Sequence, residues 1–109
     1  MDHQPREIKV YVADSGRKPY DDWFASLSIR VQIVVANRID RVEQGNFGDT
    51  KPVGDGVYEL RIDFGPGYRV YYGLAGRTVV LLLCGGDKKT QAKDITQAKR
   101  YWNEYKENS

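Results

Sequence analysis

Apolar and polar residues alternate over residues 6–13, with Ile8, Val10 and Val12 on one face and Glu7, Lys9 and Tyr11 on the other. This two-residue period predicts a half-buried strand, ended by Asp14-Ser15-Gly16. Pro19 then suits a first helical position, and Asp21 and Asp22 favour the positive end of a helix dipole. A short helix over residues 19–27 that buries Trp23 and Phe24 is therefore expected. Ser28 is a suitable N-cap for a second helix over residues 29–44, ended by Gly45. Along it Ile29, Ile33, Ala36, Ile39 and Val42 recur at three- and four-residue steps, and Val31, Val34 and Val35 broaden the same buried face.

Residues 46–56, rich in Gly, Asp and Pro, are predicted to form a flexible loop. Residues 57–64 alternate strictly: Tyr58, Leu60, Ile62 and Phe64 face one side, and Glu59, Arg61 and Asp63 the other. After a Gly65-Pro66-Gly67 turn, residues 68–74 place Tyr68, Val70, Tyr72 and Leu74 on one face, and Arg69, Tyr71 and Gly73 on the other. If the apolar faces seal the core, Arg61, Arg69 and Tyr71 share an open face. Residues 79–84, Val-Val-Leu-Leu-Leu-Cys, show no polar alternation and are expected to be a central strand covered on both sides. A last helix, capped by Thr90 or Asp94, carries the stripe Ile95, Ala98, Trp102 and Tyr105. The order predicts an α+β fold: a small, mostly antiparallel sheet, made of an N-terminal strand and a three-stranded meander, with two N-terminal helices and a C-terminal helix packed on one side.

Composition narrows the class. The chain has 109 residues, consistent with one domain over residues 1–109. The N-terminus lacks the apolar segment of a secretory signal and no run approaches the length of a membrane span, so a cytoplasmic protein with no membrane partner is expected. Cys84, the single cysteine, fits a small buried hydrophobe. Net charge is only +2, yet residues 88–100 hold five cations (Lys88, Lys89, Lys93, Lys99, Arg100) against the one acid Asp94, a local basic footprint.

No metal or cofactor is expected. His3 is the only histidine and stands at the terminus, Cys84 is solitary, and Asp21 and Asp22 are adjacent rather than on one helix face. The same shortage disfavours Ser/His/Asp and Cys/His catalysis, and Gly85-Gly86 lacks the spacing of a phosphate-binding P-loop. What remains is Arg61, Arg69, Lys88 and Lys89, with Lys51 and tyrosines among them. Guanidinium groups bind phosphate oxygens bidentately and suit charge that develops on a phosphoryl transition state, and tyrosines stack on unpaired bases, so RNA is the first substrate to test. On residue types alone, a second use ranks ahead: Glu59, Arg61, Asp63 and Arg69 as cross-strand charge pairs on a solvated face.

Three blocks are more specific. Tyr58-Glu59-Leu60-Arg61-Ile62-Asp63, then Gly67-Tyr68-Arg69-Val70-Tyr71-Tyr72, then Leu83-Cys84-Gly85-Gly86-Asp87-Lys88-Lys89-Thr90-Gln91-Ala92-Lys93-Asp94-Ile95 resemble the RelE/ParE toxin superfamily, most closely its HigB-like "addiction module killer protein" branch. The resemblance covers nearly the whole chain, including the Pro19-Tyr20-Asp21-Asp22-Trp23 helix start. It implies a RelE-like toxin of a type II toxin-antitoxin pair that cleaves mRNA in the ribosomal decoding site without a metal. Its expected partners are a cognate antitoxin of helix-turn-helix type, the ribosome and mRNA, with operator DNA engaged only as the toxin-antitoxin complex. The resemblance makes Arg69 the residue that stabilises the transition-state phosphate, Arg61 its assistant, and Lys88 or Lys89 the post-strand cation. Lys51, Tyr71 and Gln91 are the expected RNA contacts. RelE-like members carry a tyrosine after the basic turn, whereas this chain has none between Tyr72 and Tyr101; Asp94 falls near that place and is a candidate for proton transfer, beside its role as a cap. Two other functions fit the same superfamily: a ParE-like inhibitor of DNA gyrase, and an inactive antitoxin- or RNA-binding relic.

Overall fold

A computed structural model describes residues 4–108; His3 lies outside them. In chain order it contains β1 (Glu7–Val10), α1 (Pro19–Ala25), α2 (Ile29–Glu43), β2 (Thr50–Gly54), β3 (Val57–Ile62), β4 (Tyr68–Ala75), β5 (Val79–Asp87), a 3-10 turn (Lys88–Thr90) and α3 (Gln91–Glu107). The five strands form one mixed sheet in the order β1-β5-β4-β3-β2, with β1 parallel to β5 and the other pairs antiparallel. The α+β class and the order of helices follow the expectation from sequence, as does the Ser28 cap, whose hydroxyl accepts from Val31 N at 3.4 Å.

Four features differ from that expectation. The segment predicted as a loop contains β2, an edge strand joined to β3 by a two-residue turn. Asp55 and Gly56 both have positive φ, 56° and 84°, the backbone that a tight hairpin turn requires. Pro52 is tolerated because an edge strand has one unpaired side. Second, β5 runs on through Asp87, so Gly85 and Gly86 are strand residues rather than part of a turn, and β4 occupies the middle of the sheet.

The third difference matters most for function: helices cover both faces. Leu60, Ile62, Val70, Tyr72, Val80 and Leu82 form one core with Tyr20, Val35 and Val42 from α1 and α2. On the opposite face Val57, Tyr71, Leu81, Leu83 and Cys84 pack with Ala98 and Trp102 of α3. Tyr11, assigned above to a polar face, is buried in this second core, while Val12 beyond the end of β1 is exposed. Gly73 makes the close approach of α3 possible, since a β-carbon there would stand 2.5 Å from the Trp102 ring. Gly73→Ala is therefore expected to destabilise the fold by about 1–3 kcal/mol through overpacking, read as a lower urea midpoint at unchanged slope.

Finally, α2 turns a different stripe inward. Val35, Arg38 and Val42 are buried with Val31, Val34 and Ile39 beside them, whereas Ile29 and Ile33 are 76% and 56% exposed. The helix rotates because Arg38 is drawn in by backbone carbonyls. It donates to Phe47 O at 2.7 Å, Asp49 O at 3.1 Å and Arg61 O at 2.9 Å, which anchors the entry to β2 against β3.

Candidate functional site

Strand register brings the two arginines together. Arg61 of β3 stands directly opposite Arg69 of β4, and Arg69 stands opposite Gly86 of β5. Beyond β5, Asp87 caps the 3-10 turn by accepting from Lys89 N at 2.8 Å and Thr90 N at 3.3 Å. This carboxylate, rather than Thr90 or Asp94, is the cap at the entry to α3. Lys88 N donates to Gly67 O at 2.9 Å, which ties the turn after β5 to the turn between β3 and β4. The result is a groove of about 480 Å³ lined by the cations Arg61, Arg69 and Lys88, the carboxylates Asp49 and Asp63, and the turn that includes Gly67.

Both arginines are already partnered. Arg61 makes an ion pair with Asp49 at 3.0 Å, a weak contact because both groups are solvated. Arg69 is different: its side chain is 12% exposed, and its Nε lies 3.5 Å from Oε2 of Glu59, which is 0% exposed. The face predicted to be open is closed here by α3. Tyr71, expected as a base-stacking platform, is fully buried and its hydroxyl donates to Glu59 at 3.3 Å, so it has no free ring face for a base. Gln91 likewise points inward and donates to Glu59 at 2.6 Å.

The remaining expected residues fall outside the groove lining. Lys89 is exposed on the outer side of the turn, and Lys51 is exposed on edge strand β2, opposite Glu59 in register. Asp94, in the first turn of α3, accepts from the Thr90 hydroxyl and lies over Gly86, where no β-carbon could fit. It therefore neighbours the Arg69 position on the sheet. Burial raises its carboxyl above the usual aspartate range, with the Thr90 hydrogen bond opposing that shift. Cys84 is buried as expected, and burial pushes its thiol up to about 12, which leaves it unreactive. Among the described residues no cluster of three or more His, Cys, Asp or Glu side chains could hold a metal, and no helix is long and apolar enough to cross a membrane.

Sequence reasoning missed Glu59 as a buried group, Asp49 as the partner of Arg61, and Arg38 as the clamp behind both. The useful signal for the first was Gly73, a glycine inside a strand, which marks close approach by another element.

A mixed sheet with α3 on one face, and three cations around one groove where β3, β4 and β5 meet, defines a small α+β domain compatible with a RelE-like fold. The profile of the family described as "Phage derived protein Gp49-like (DUF891)" matches residues 22–103, and the chain belongs to that family, which is of the RelE/HigB toxin-like type. A protein of Haemophilus influenzae described as "Uncharacterized protein" is 53% identical over 81 residues, covering 73% of this chain and 82% of its own length.

Proposed function

We propose that this chain is the toxin of a type II toxin-antitoxin pair and acts as a metal-independent endoribonuclease on mRNA held in the ribosome. The observation that carries the reading is the direct pairing of Arg61 with Arg69 beside Lys88 around one groove, in a member of a family associated with such toxins. Membership also implies a protein antitoxin as partner.

In the proposed reaction the ribose 2′ oxygen attacks the adjacent phosphorus, the bond from phosphorus to the 5′ oxygen breaks, and a 2′,3′-cyclic phosphate and a 5′-hydroxyl result. Arg69 presents its guanidinium to the nonbridging oxygens, where charge grows as the phosphorus becomes pentacoordinate. Arg61, released from Asp49, orients the same phosphate, and Lys88 donates to the leaving 5′ oxygen. The 2′ proton is assigned to Asp94, which stands over Gly86, opposite Arg69 in register, rather than in the groove lining; a carboxyl raised by burial is a better base than an ordinary aspartate. Ribosomal positioning supplies the in-line geometry, so turnover on free RNA is expected to be slow.

Induced expression tests the reading. Arrested translation with cuts inside translated messages is the expected outcome, whereas DNA damage with intact messages would replace it with gyrase inhibition. Cleavage on translating ribosomes, with magnesium kept only for ribosome integrity, should not respond to chelation of transition metals. Loss of activity restored by adding a divalent ion to the toxin alone would sink the metal-independent mechanism.

A further inference from the structure

Glu59 is a fully buried charged group beside the site, and the proposed chemistry gives it no role. An ionised carboxylate with no solvent access is costly unless it is paired and hydrogen-bonded, and an apolar residue of similar volume generally packs there with greater stability. Its Oε2 accepts from Gln91 Nε2 at 2.6 Å and from the Tyr71 hydroxyl at 3.3 Å, and faces Arg69 Nε at 3.5 Å. Two of these partners come from β4 and one from the first residue of α3. A single oxygen thus ties the start of α3 to the strand that carries Arg69.

The guanidinium of Arg69 spans from this buried carboxylate to the groove. While Nε faces Glu59, Nη1 lies 3.5 Å from the point where a β-carbon on Gly67 would stand, and Lys88 Cβ lies 3.9 Å from that same point. The inner edge therefore faces the buried carboxylate, and the outer edge reaches the groove lip beside Lys88. Two polar atoms of the pair, Arg69 Nε and Glu59 Oε1, are buried with no hydrogen-bond partner among the described residues. Tyr71 and Gln91 need only a neutral acceptor; Arg69 alone needs the charge.

We propose that Glu59 is a positioning residue: it fixes the Nε edge of Arg69 so that both Nη groups are presented as a fork to phosphate in the groove. The cleavage arm of its test rests on the nuclease reading, and the binding arm does not. In the 15N-labelled full chain, the Arg69 Nε–H resonance, identified by its loss in Arg69→Lys, is expected to exchange with solvent at least about tenfold more slowly in the parent than in Glu59→Gln. Inorganic phosphate should shift that resonance in the parent and much less in Glu59→Gln. On ribosomes the same variant should lose on the order of 100-fold in kcat with KM nearly unchanged, because the fork is misplaced rather than removed. Glu59→Asp, which retracts the carboxylate but keeps its charge, is read in the same way if Glu59→Gln does not fold. Unaltered Arg69 exchange and phosphate response in a folded variant would overturn the proposal. A parent protein that binds phosphate at Arg69 but cuts no message would instead overturn the nuclease reading and leave the Glu59 assignment standing.

Discussion

Arg69→Ala is expected to abolish message cleavage and to weaken the fold at the same time. On an open face the truncation would be harmless to stability, but Arg69 is paired with a carboxylate that has no access to water. Removing one partner of a buried ion pair leaves the other uncompensated, at a cost of about 3–5 kcal/mol. A loss of toxicity in Arg69→Ala therefore mixes two causes. Arg69→Lys separates them: it keeps a positive charge beside Glu59 but lacks the planar fork that grips two phosphate oxygens. Cleavage by the lysine variant should fall by about 10²–10³-fold, the scale for losing one transition-state donor, while its melting temperature stays close to that of the parent. Primer extension on translated messages and thermal denaturation read the two effects. A lysine variant that cleaves at the parental rate would remove Arg69 from the chemistry.

This coupling of site and core explains which parts of the molecule were legible in the sequence. The alternation along β3 and β4 placed Arg61 and Arg69 on a common face correctly, because a period of two determines side-chain direction whatever lies above the sheet. It could not say what lay above. Glu59, Arg61, Asp63, Arg69 and Tyr71 have the composition of a solvated face, and only the packing of Trp102 over Gly73 shows that α3 covers part of it. The edge between covered and open parts is where the site lies: Glu59 and Tyr71 are sealed, Arg69 is at the margin, and Arg61 reaches solvent. Strand β2 was hidden for another reason. Lys51 and Pro52 are unusual in a strand interior but suited to an edge, and Asp55-Gly56 was the hairpin signal within the segment. The stripe on α2 failed because a buried arginine outweighed two isoleucines: Ile29 and Ile33 face out so that Arg38 can reach its carbonyls.

Arg38 gives the second large effect, this time with no part in the chemistry. It sits one turn from both Val35 and Val42 on the buried stripe of α2, where methionine would match the stem's packing. Burial lowers its basicity, yet a guanidinium remains protonated at physiological pH and serves three carbonyls at once. Arg38→Met removes the donors and leaves Phe47, Asp49 and Arg61 carbonyls short of partners in a partly buried setting, where each unmet group costs about 1–3 kcal/mol. Because Arg61 N still donates to Asp49 O at 2.9 Å, one of the three keeps a bond, so a net loss of about 3 kcal/mol is expected. Gly48, packed against the guanidinium, should become more mobile with the rest of this segment. The exposed Asp49–Arg61 ion pair should loosen with it, and cleavage should decline only with the folded fraction, since the proposed chemistry uses Arg61 released from Asp49. Urea denaturation at constant slope gives the first effect and amide exchange across residues 46–50 the second. Parental stability in Arg38→Met would mean that these carbonyls are satisfied without the guanidinium, and that α2 owes its rotation to apolar packing alone.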